Sequence, residues 1–525
     1  MTALRSALPR SALAAALALA LLSGCSVAPV YQGPAEQGVP EHFAAAPAGD
    51  AKAIDPASWW HSLQDARLDA LVEDARRYNP DVQLALARLQ QARVYEVVVA
   101  GTADPAVGVG AGGGRGSGSD ATRGRLANSL RDGESSAGLK RIAYGAGFDA
   151  GWTLDLAGYY QSALEAAQAD RGAAEAVRQA ALVAVVADVV RAYEDMRGLE
   201  LQAKVLSRSL DSADQLRLLM QERYRHGLIN ALDVQLAERQ VATLLAEQAM
   251  LPARIEAARN TLAVLTGRFP EQLAASGSQS ELPALPGDIV PGQPIDVLAN
   301  RPDVRAAERS LAAATAQAGV AVARLMPTVS LGAGLGIAGQ SLLQGDDRHR
   351  HLWSLGASAY WPLLDFGVLD GLSEIADLEV QARASLYRRT VLRAVAEVDT
   401  AMSTYRAEQT RLQALATAVA AGSDALELAR QRYDRGLADF LNVVDAERQV
   451  FALQAQYAEA QTTALEQYAD LFRALGGGWQ DAAPPPPIRP PRAAVVAAFD
   501  HLFHSPARLP AAQDAAVPAP EDPAP

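Results

Sequence analysis

Few residues in this chain combine type and spacing in a way that would do chemistry. The glycine run from Gly108 to Gly118 imitates a nucleotide-binding loop, but it lacks the βαβ frame and the acidic residue at ribose distance that such a loop needs. No Gly-Lys-Ser or Gly-Lys-Thr is present to cradle a phosphate. His349-Arg350-His351 offers two metal-ligand side chains in a polar stretch without a third ligand, so a solvated loop is expected there. Acidic side chains are scattered along helical stretches rather than paired. No catalytic constellation, metal site or cofactor site emerges, and a non-enzymatic role is expected. One residue stands apart: Cys25, the only thiol among 525 residues. A single cysteine excludes a disulfide framework and any multi-thiolate zinc or iron–sulfur centre.

The segment ahead of Cys25 tells what that thiol is for. Arg5 and Arg10 precede an apolar stretch from Ser11 to Leu22, which ends in Leu22-Ser23-Gly24-Cys25. A short positive region, about a dozen apolar residues and small residues at the cut make a secretory signal, not a membrane anchor. With the cysteine at the cleavage point, the segment resembles the lipobox of bacterial lipoproteins. That resemblance implies that residues 1–24 are removed and that Cys25 is acylated and becomes the N-terminus of residues 25–62. The alternative is a secreted protein with an incidental cysteine. Several acyl chains, at about 0.8 kcal/mol per buried methylene, anchor a protein stably. Ser26 instead of an aspartate implies, by the lipoprotein sorting habit, the outer membrane.

Composition narrows the rest. Sixty acidic against 47 basic residues give a net charge of −13, and there are three lysines. That balance argues against nucleic acid as a partner. Half the chain is hydrophobic, yet only 6% is aromatic, and alanine fills about a fifth of it. Alanine is both the best helix former and a small core residue, so long, closely packed helices are expected. No other run is apolar enough for a membrane-crossing helix, which excludes a polytopic helical membrane protein.

The elements repeat. Pro80-Asp81-Val82 returns as Pro302-Asp303-Val304, and the strand pattern after Pro105 returns after Pro327 at the same offset. At a second constant offset, Arg223-Tyr224-Arg225-His226-Gly227-Leu228 returns as Arg432-Tyr433-Asp434-Arg435-Gly436-Leu437. Ala237-Glu238-Arg239-Gln240-Val241 returns as Ala446-Glu447-Arg448-Gln449-Val450. Each half reads helix, strand, loop, strand, very long helix, turn, long helix, which points to an internally duplicated chain. The first repeat covers 63–268 and the second 301–478. A proline-rich linker, 269–300, joins them, and residues 479–525 form a Pro/Ala-rich tail that cannot build a core.

Two patterns define the walls. From Ala157 to Tyr224 there is no proline, and Leu182, Val185, Val189, Ala192, Met196 and Leu199 alternate three and four apart. Val391, Val395, Val398, Met402, Tyr405 and Gln409 do the same in the second half. These are heptad seams. Such a helix is about 100 Å long at 1.5 Å per residue, and its alanines with Gln409 suit a wall wetted on one side. Four shorter segments alternate with period two: Val107–Gly112, Ile142–Trp152, Val329–Ile337 and Leu352–Trp361. One face is apolar with aromatics near the ends, and the other is mostly glycine and serine, as in a membrane barrel strand. A half-buried soluble sheet is the alternative. Open sheet edges are not tolerated in lipid, and four strands cannot close. Eight strands leave no pore, so three copies, giving twelve strands, are the smallest conducting assembly.

These features together resemble the TolC-type outer-membrane efflux family in its NodT-like lipoprotein branch. The residues that carry the likeness are Cys25, the duplicated halves, Asp65-x-x-Leu68-x-x-Leu71 with Ala75 and Asn79, Trp152-Thr153-Leu154-Asp155-Leu156-Ala157-Gly158, and both Tyr-x-x-Gly turns. The resemblance implies an α+β membrane protein: a trimeric twelve-stranded β-barrel, four strands per subunit, continuing into a long α-helical barrel through the periplasm. It implies a homotrimer in outer-membrane lipid, with a periplasmic adaptor and an inner-membrane pump of the resistance-nodulation-division type as partners. The lower aperture would fall at Asp233, Tyr433, Asn442 and Asp445, with an Asp233–Tyr433 contact helping to hold it shut. Asp233 also fits a plain helix-start charge. Tyr224, Gly227, Leu228, Gly436 and Leu437 would form the adaptor-docking turns, their glycines serving as helix caps. The expected function is a passive efflux duct; the alternatives are a protein-secretion outlet on the same fold or a non-conducting coiled-coil lipoprotein.

Overall fold

The fold was examined in a computed structural model that describes residues 29, 31–34, 38–45, 54–116, 141–273, 282–287, 289–340 and 350–488. Cys25, the signal segment, His349, both hairpin loops and the tail beyond residue 488 lie outside the described residues. Two short helices open the body, α1 (Ala66–Tyr78) and α2 (Pro80–Gly101), followed by a hairpin of β1 (Ala106–Gly116) and β2 (Arg141–Leu154). Then come α3 (Tyr159–Arg225), of 67 residues, and α4 (Ala231–Leu265). After the linker the order returns: α5 (Pro294–Asn300), α6 (Pro302–Ala323), β3 (Thr328–Gln340), β4 (Arg350–Tyr360), α7 (Val368–Asp434), again of 67 residues, and α8 (Phe440–Leu475). Among the described residues no helix is long and apolar enough to cross a membrane.

The four strands form one antiparallel sheet in the order β1-β2-β3-β4. Its register keeps the expected faces: Val109 pairs with Phe148, Phe148 with Leu335, and Leu335 with Trp353. The next row on the other face is Gly110–Gly147–Gly336–Leu352. A Cβ on Gly147 or Gly336 would sit 2.8 or 2.9 Å from a carbonyl oxygen of the facing strand, so a side chain there would force the strands apart. The alternation in the sequence reached Trp361, whereas the ladder stops at Tyr360. Trp361 instead turns its indole N–H to the Leu325 carbonyl at 3.0 Å, and Trp152 does the same to Ala103 at 3.0 Å.

Similar contacts recur in the two halves with different residues. Asn79 caps α2 and donates to the Leu265 carbonyl at the end of α4, 2.9 Å away. Arg301 occupies the matching position before α6 and donates to the Ala474 carbonyl at the end of α8, at 2.6 Å. At the far end, Gln221 bonds Glu238 at 3.1 Å across the first long hairpin, and Arg430 bonds Glu447 at 2.9 Å across the second.

The main core lies midway along the two long helices. Leu182, Val185, Val189, Met196 and Leu199 of α3 pack with Val398, Met402 and Tyr405 of α7 and with Tyr468 and Phe472 of α8. Trp59 stacks on Phe472 at 5.1 Å. An N-terminal strap crosses this belt: Phe43 is buried in the core and the Ala45 N–H reaches Asp399 Oδ1 at 3.1 Å. Gln409, expected on a wetted wall, is instead engaged by the linker, donating to the Pro286 carbonyl at 3.2 Å beside the Tyr405 hydroxyl. The α3–α8 crossing is closest at Gly198, where a Cβ would fall 2.0 Å from Thr462 Oγ1. Overpacking of this kind costs about 1–3 kcal/mol. Gly198→Ala is therefore expected to lower the free energy of unfolding by that amount, and adding Thr462→Ala is expected to recover part of it; an unchanged unfolding free energy in Gly198→Ala would contradict the crossing geometry.

Candidate functional site: the sheet wall and the helical tips

The sheet presents a band of large apolar side chains left bare among the described residues. Val109 is 76% exposed, and Trp353 and Leu355 are each 78% exposed. All three point to the same face. The opposite face is mostly glycine, with Leu352, the exposed Asp149 and a few hydroxyls, Thr153 bonding Ser330 at 3.1 Å. An apolar outer band and a small, polar inner face are what a strand between lipid and water requires.

At the other end of the long helices, the two hairpin turns are built alike. Gly227 has φ +72° and Gly436 φ +69°. In the first turn the amides of Gly227 and Leu228 bond the carbonyls of Tyr224 and Arg223 at 2.8 and 2.9 Å. In the second, Gly436 and Leu437 bond Tyr433 and Arg432 at 2.9 and 2.8 Å. This is the Schellman closure, which needs a left-handed residue at the glycine position. It leaves Leu228 and Leu437 71% and 65% exposed at the tips, with Tyr224 half exposed.

The aperture residues are arranged differently from the expectation. Tyr433 does not bond Asp233; its hydroxyl donates to Met220 Sδ at 3.6 Å, its ring packs on Phe440, and Arg223 lies 5.1 Å over that ring. Asp233 sits in the first turn of α4, its amide bonded by the capping Asn230 side chain at 3.2 Å. That places its charge at a helix N-terminus, where it interacts favourably with the dipole. Asn442 and Asp445 are exposed one turn apart on α8, and Asp445 is held by Arg448 at 3.2 Å and Gln449 at 2.9 Å. The sequence reading missed the side chains that tie one hairpin to the other. Arg223 pairs with Asp434 at 3.3 Å. Ser212 on α3 donates to Glu447 at 3.0 Å, and Arg430 reaches both Ser212 and Glu447. The repeated Glu238 and Glu447 motifs were the available signal.

Comparison with known proteins decides the family. A profile described as "Outer membrane efflux protein" matches residues 71–268 and 294–477. The chain belongs to the outer membrane efflux protein family. Nodulation protein T of Rhizobium leguminosarum bv. viciae is 31% identical over 489 residues, covering 93% of this chain and 97% of that protein. The pyoverdine export outer membrane protein OpmQ of Pseudomonas putida is 29% identical over 477 residues, 90% of this chain and 98% of its own length. Among solved structures, the outer-membrane channel OprN superposes with a TM-score of 0.78 at 33% identity, covering 87% of this chain and all of that one. This outer membrane efflux protein accordingly resides in the outer membrane of a Gram-negative cell and extends into the periplasm.

One buried group at mid-height bears on how the efflux protein holds together. Asp65 caps α1 through Oδ1, while its Oδ2 accepts from the Tyr193 hydroxyl and the Arg197 guanidinium, both at 2.8 Å. Glu194, next to Tyr193, is fully buried, and neither carboxyl oxygen has a hydrogen-bond partner among the described residues. Burial pushes its pKa up to about 8; Arg197 opposes the rise and Asp65 adds to it. Glu194 is thus neutral at pH 7. Between the unfolded carboxyl value near 4.3 and about 8, the folded chain keeps a proton that the unfolded chain has released. Stability therefore falls as pH rises through that window, by about 1.4 kcal/mol per unit for each subunit. Glu194→Gln has no such proton to lose. Thermal unfolding at pH 6 and pH 8 is expected to show the variant gaining about 2 kcal/mol on the wild type at the higher pH; a difference that does not change with pH would refute the buried neutral carboxyl.

Proposed function

We propose that this chain is the outer-membrane duct of a tripartite efflux pump. Three copies contribute four strands each to one twelve-stranded barrel, and their helices continue as a tunnel into the periplasm. The observation that carries this reading is the sheet itself: among the described residues its end strands β1 and β4 lack a second partner, and its apolar face stands bare. Backbone groups left unpaired in lipid cost several kcal/mol each, so β4 of one copy must pair with β1 of the next. Acyl chains on Cys25 fasten the assembly from outside, and the strap at Phe43 and Ala45 carries that anchor to the mid-height belt.

The duct does no chemistry. A wall mostly of glycine and hydroxyls, with Asp149 as its one charge among the described side chains, offers few groups for a solute to bind, so transport follows from the inner-membrane pump, of the resistance-nodulation-division type, and from an aperture opened by its partners. The likeness to a pyoverdine exporter supports small molecules as cargo. The exposed leucines at the tips, Leu228 and Leu437 with Tyr224, are the docking points for a periplasmic adaptor. Two halves with matching clasps are the product of an old duplication.

The purified full-length protein, reconstituted in planar bilayers, is expected to form conducting trimers, and deletion of its gene is expected to raise susceptibility to small toxic molecules. Stable trimers without conductance would overturn the duct; loss of a secreted polypeptide with unchanged susceptibility would favour a secretion outlet. At the tips the latch lies on Arg223. Arg223→Ala removes both the cation over Tyr433 and the Asp434 pair, and single-channel conductance is expected to rise severalfold. Tyr433→Phe keeps the ring and is expected to conduct like the wild type; equal conductance in both variants would rule the latch out.

A further inference from the structure

We propose that Asp149, on the inner face of the sheet, sets the charge preference of the duct by drawing cations into the barrel and holding anions back. This rests on the trimeric barrel reading above. Asp149 lies opposite in direction to its neighbours Phe148 and Ala150, in the cross-strand row Gly108–Asp149–Gly334–Ser354. A Cβ on Gly108 would fall 3.1 and 3.2 Å from the two carboxylate oxygens, so the side chain reclines across the β1 backbone. A Cβ on Gly334 would fall 2.8 Å from Ser354 Oγ, which leans over β3 in the same way. Glycine on both flanks leaves the carboxylate exposed, and among the described residues it has no ion-pair partner. Among the described side chains of that face it is the only charge.

Its height matters as much as its exposure. Asp149 stands five residues before the end of β2 at Leu154, about 17 Å along the strand at 3.4 Å per residue, which at a barrel tilt of about 40° is about 13 Å above the periplasmic rim. That is within the apolar band, about 25 Å tall, where the wall has low dielectric constant and focuses the field into the lumen. Three copies place three carboxylates at one level. The Debye length is about 30 Å at 0.01 M salt and about 3 Å at 1 M, so the field reaches the axis in dilute salt and vanishes in concentrated salt. Asp445 at the tip is the contrasting case, since Arg448 and Gln449 already engage it.

The test is the reversal potential of the full-length channel under a salt gradient in the 0.01–0.1 M range, for wild type, Asp149→Asn and Asp445→Asn, each also in the Arg223→Ala background so that the tip does not limit flow. Asp149→Asn is isosteric and exposed, so assembly should be kept. It is expected to lower the potassium-to-chloride permeability ratio by about twofold or more in dilute salt and to have no effect near 1 M. Asp149→Lys is expected to reverse the preference. An unchanged ratio in Asp149→Asn, or a loss found only in Asp445→Asn, would overturn the proposal while leaving the duct intact. Absence of conductance in every variant would overturn the duct and this proposal together.

Discussion

The demand that no backbone hydrogen-bonding group be left open in lipid shapes this molecule more than any other interaction. A chain that spends its strands on two hairpins has two open ladders, and water cannot reach them at membrane depth. In the proposed trimer the sheet is therefore one sector of a larger wall. Much else follows. The inner face must be small and polar because it borders water, and the outer face must be apolar without interruption. The register Val109–Phe148–Leu335–Trp353 fixes both at once, since a slip by one residue would exchange them. In that assembly the helices continue the wall, as the 67 residues of α3 and of α7 allow.

The two halves show that the geometry of a contact is retained more readily than its chemistry. Asn79 and Arg301 do one job, holding the last turn of their half's final helix, though one is a short amide and the other a long cation. Arg301 also gathers Asp303 and Glu397, both at 2.7 Å, so the second half turns a simple cap into a charged node. The same shift separates Gln221–Glu238 from Arg430–Glu447. In each pair the second half has the charged version. In the second half the cation also reaches across to the other hairpin, from Arg430 to Ser212 on α3, and a separate cross-link joins Arg223 to Asp434.

What could be read from the sequence depended on period. The strands announced themselves through alternation by two, the long helices through a seam of threes and fours, and the turns through a glycine that alone accepts φ near +70°. Contacts off the seam had no such signal. Glu194 falls between Ala192 and Met196, and α3 packs against neighbours on more than one side, so a second buried face went unseen. Gln409 looked like a wetted position because its partner, the Pro286 carbonyl, belongs to a linker without any period. The Asp233–Tyr433 pairing was carried over from a resemblance; it failed because Met220 fills the place beside the Tyr433 hydroxyl. Arg301 was within reach, since the constant offset sets it against Asn79, but a comparison of residue types hides the match.

The ion pairs also differ in strength along the length of the molecule. At mid-height, Asp65 and Arg197 are buried together with hydrogen bonds to spare, and removing one partner of such a pair costs about 3–5 kcal/mol. Aromatic rings from three segments close around Tyr468 in the same layer. At the tips, Arg223 and Asp434 are partly solvated, and an exposed pair of that kind is worth about 0–1 kcal/mol. Glu447 is the exception there, buried but shared between Arg430 and Ser212. An apolar cluster lies beneath these pairs, in which Met220 of α3 and Val234 of α4 pack with Leu426 of α7 and with Phe440 and Val443 of α8. The ion pairs are thus the weaker part of the tip, and parting the hairpins would also mean exposing that buried apolar surface to water.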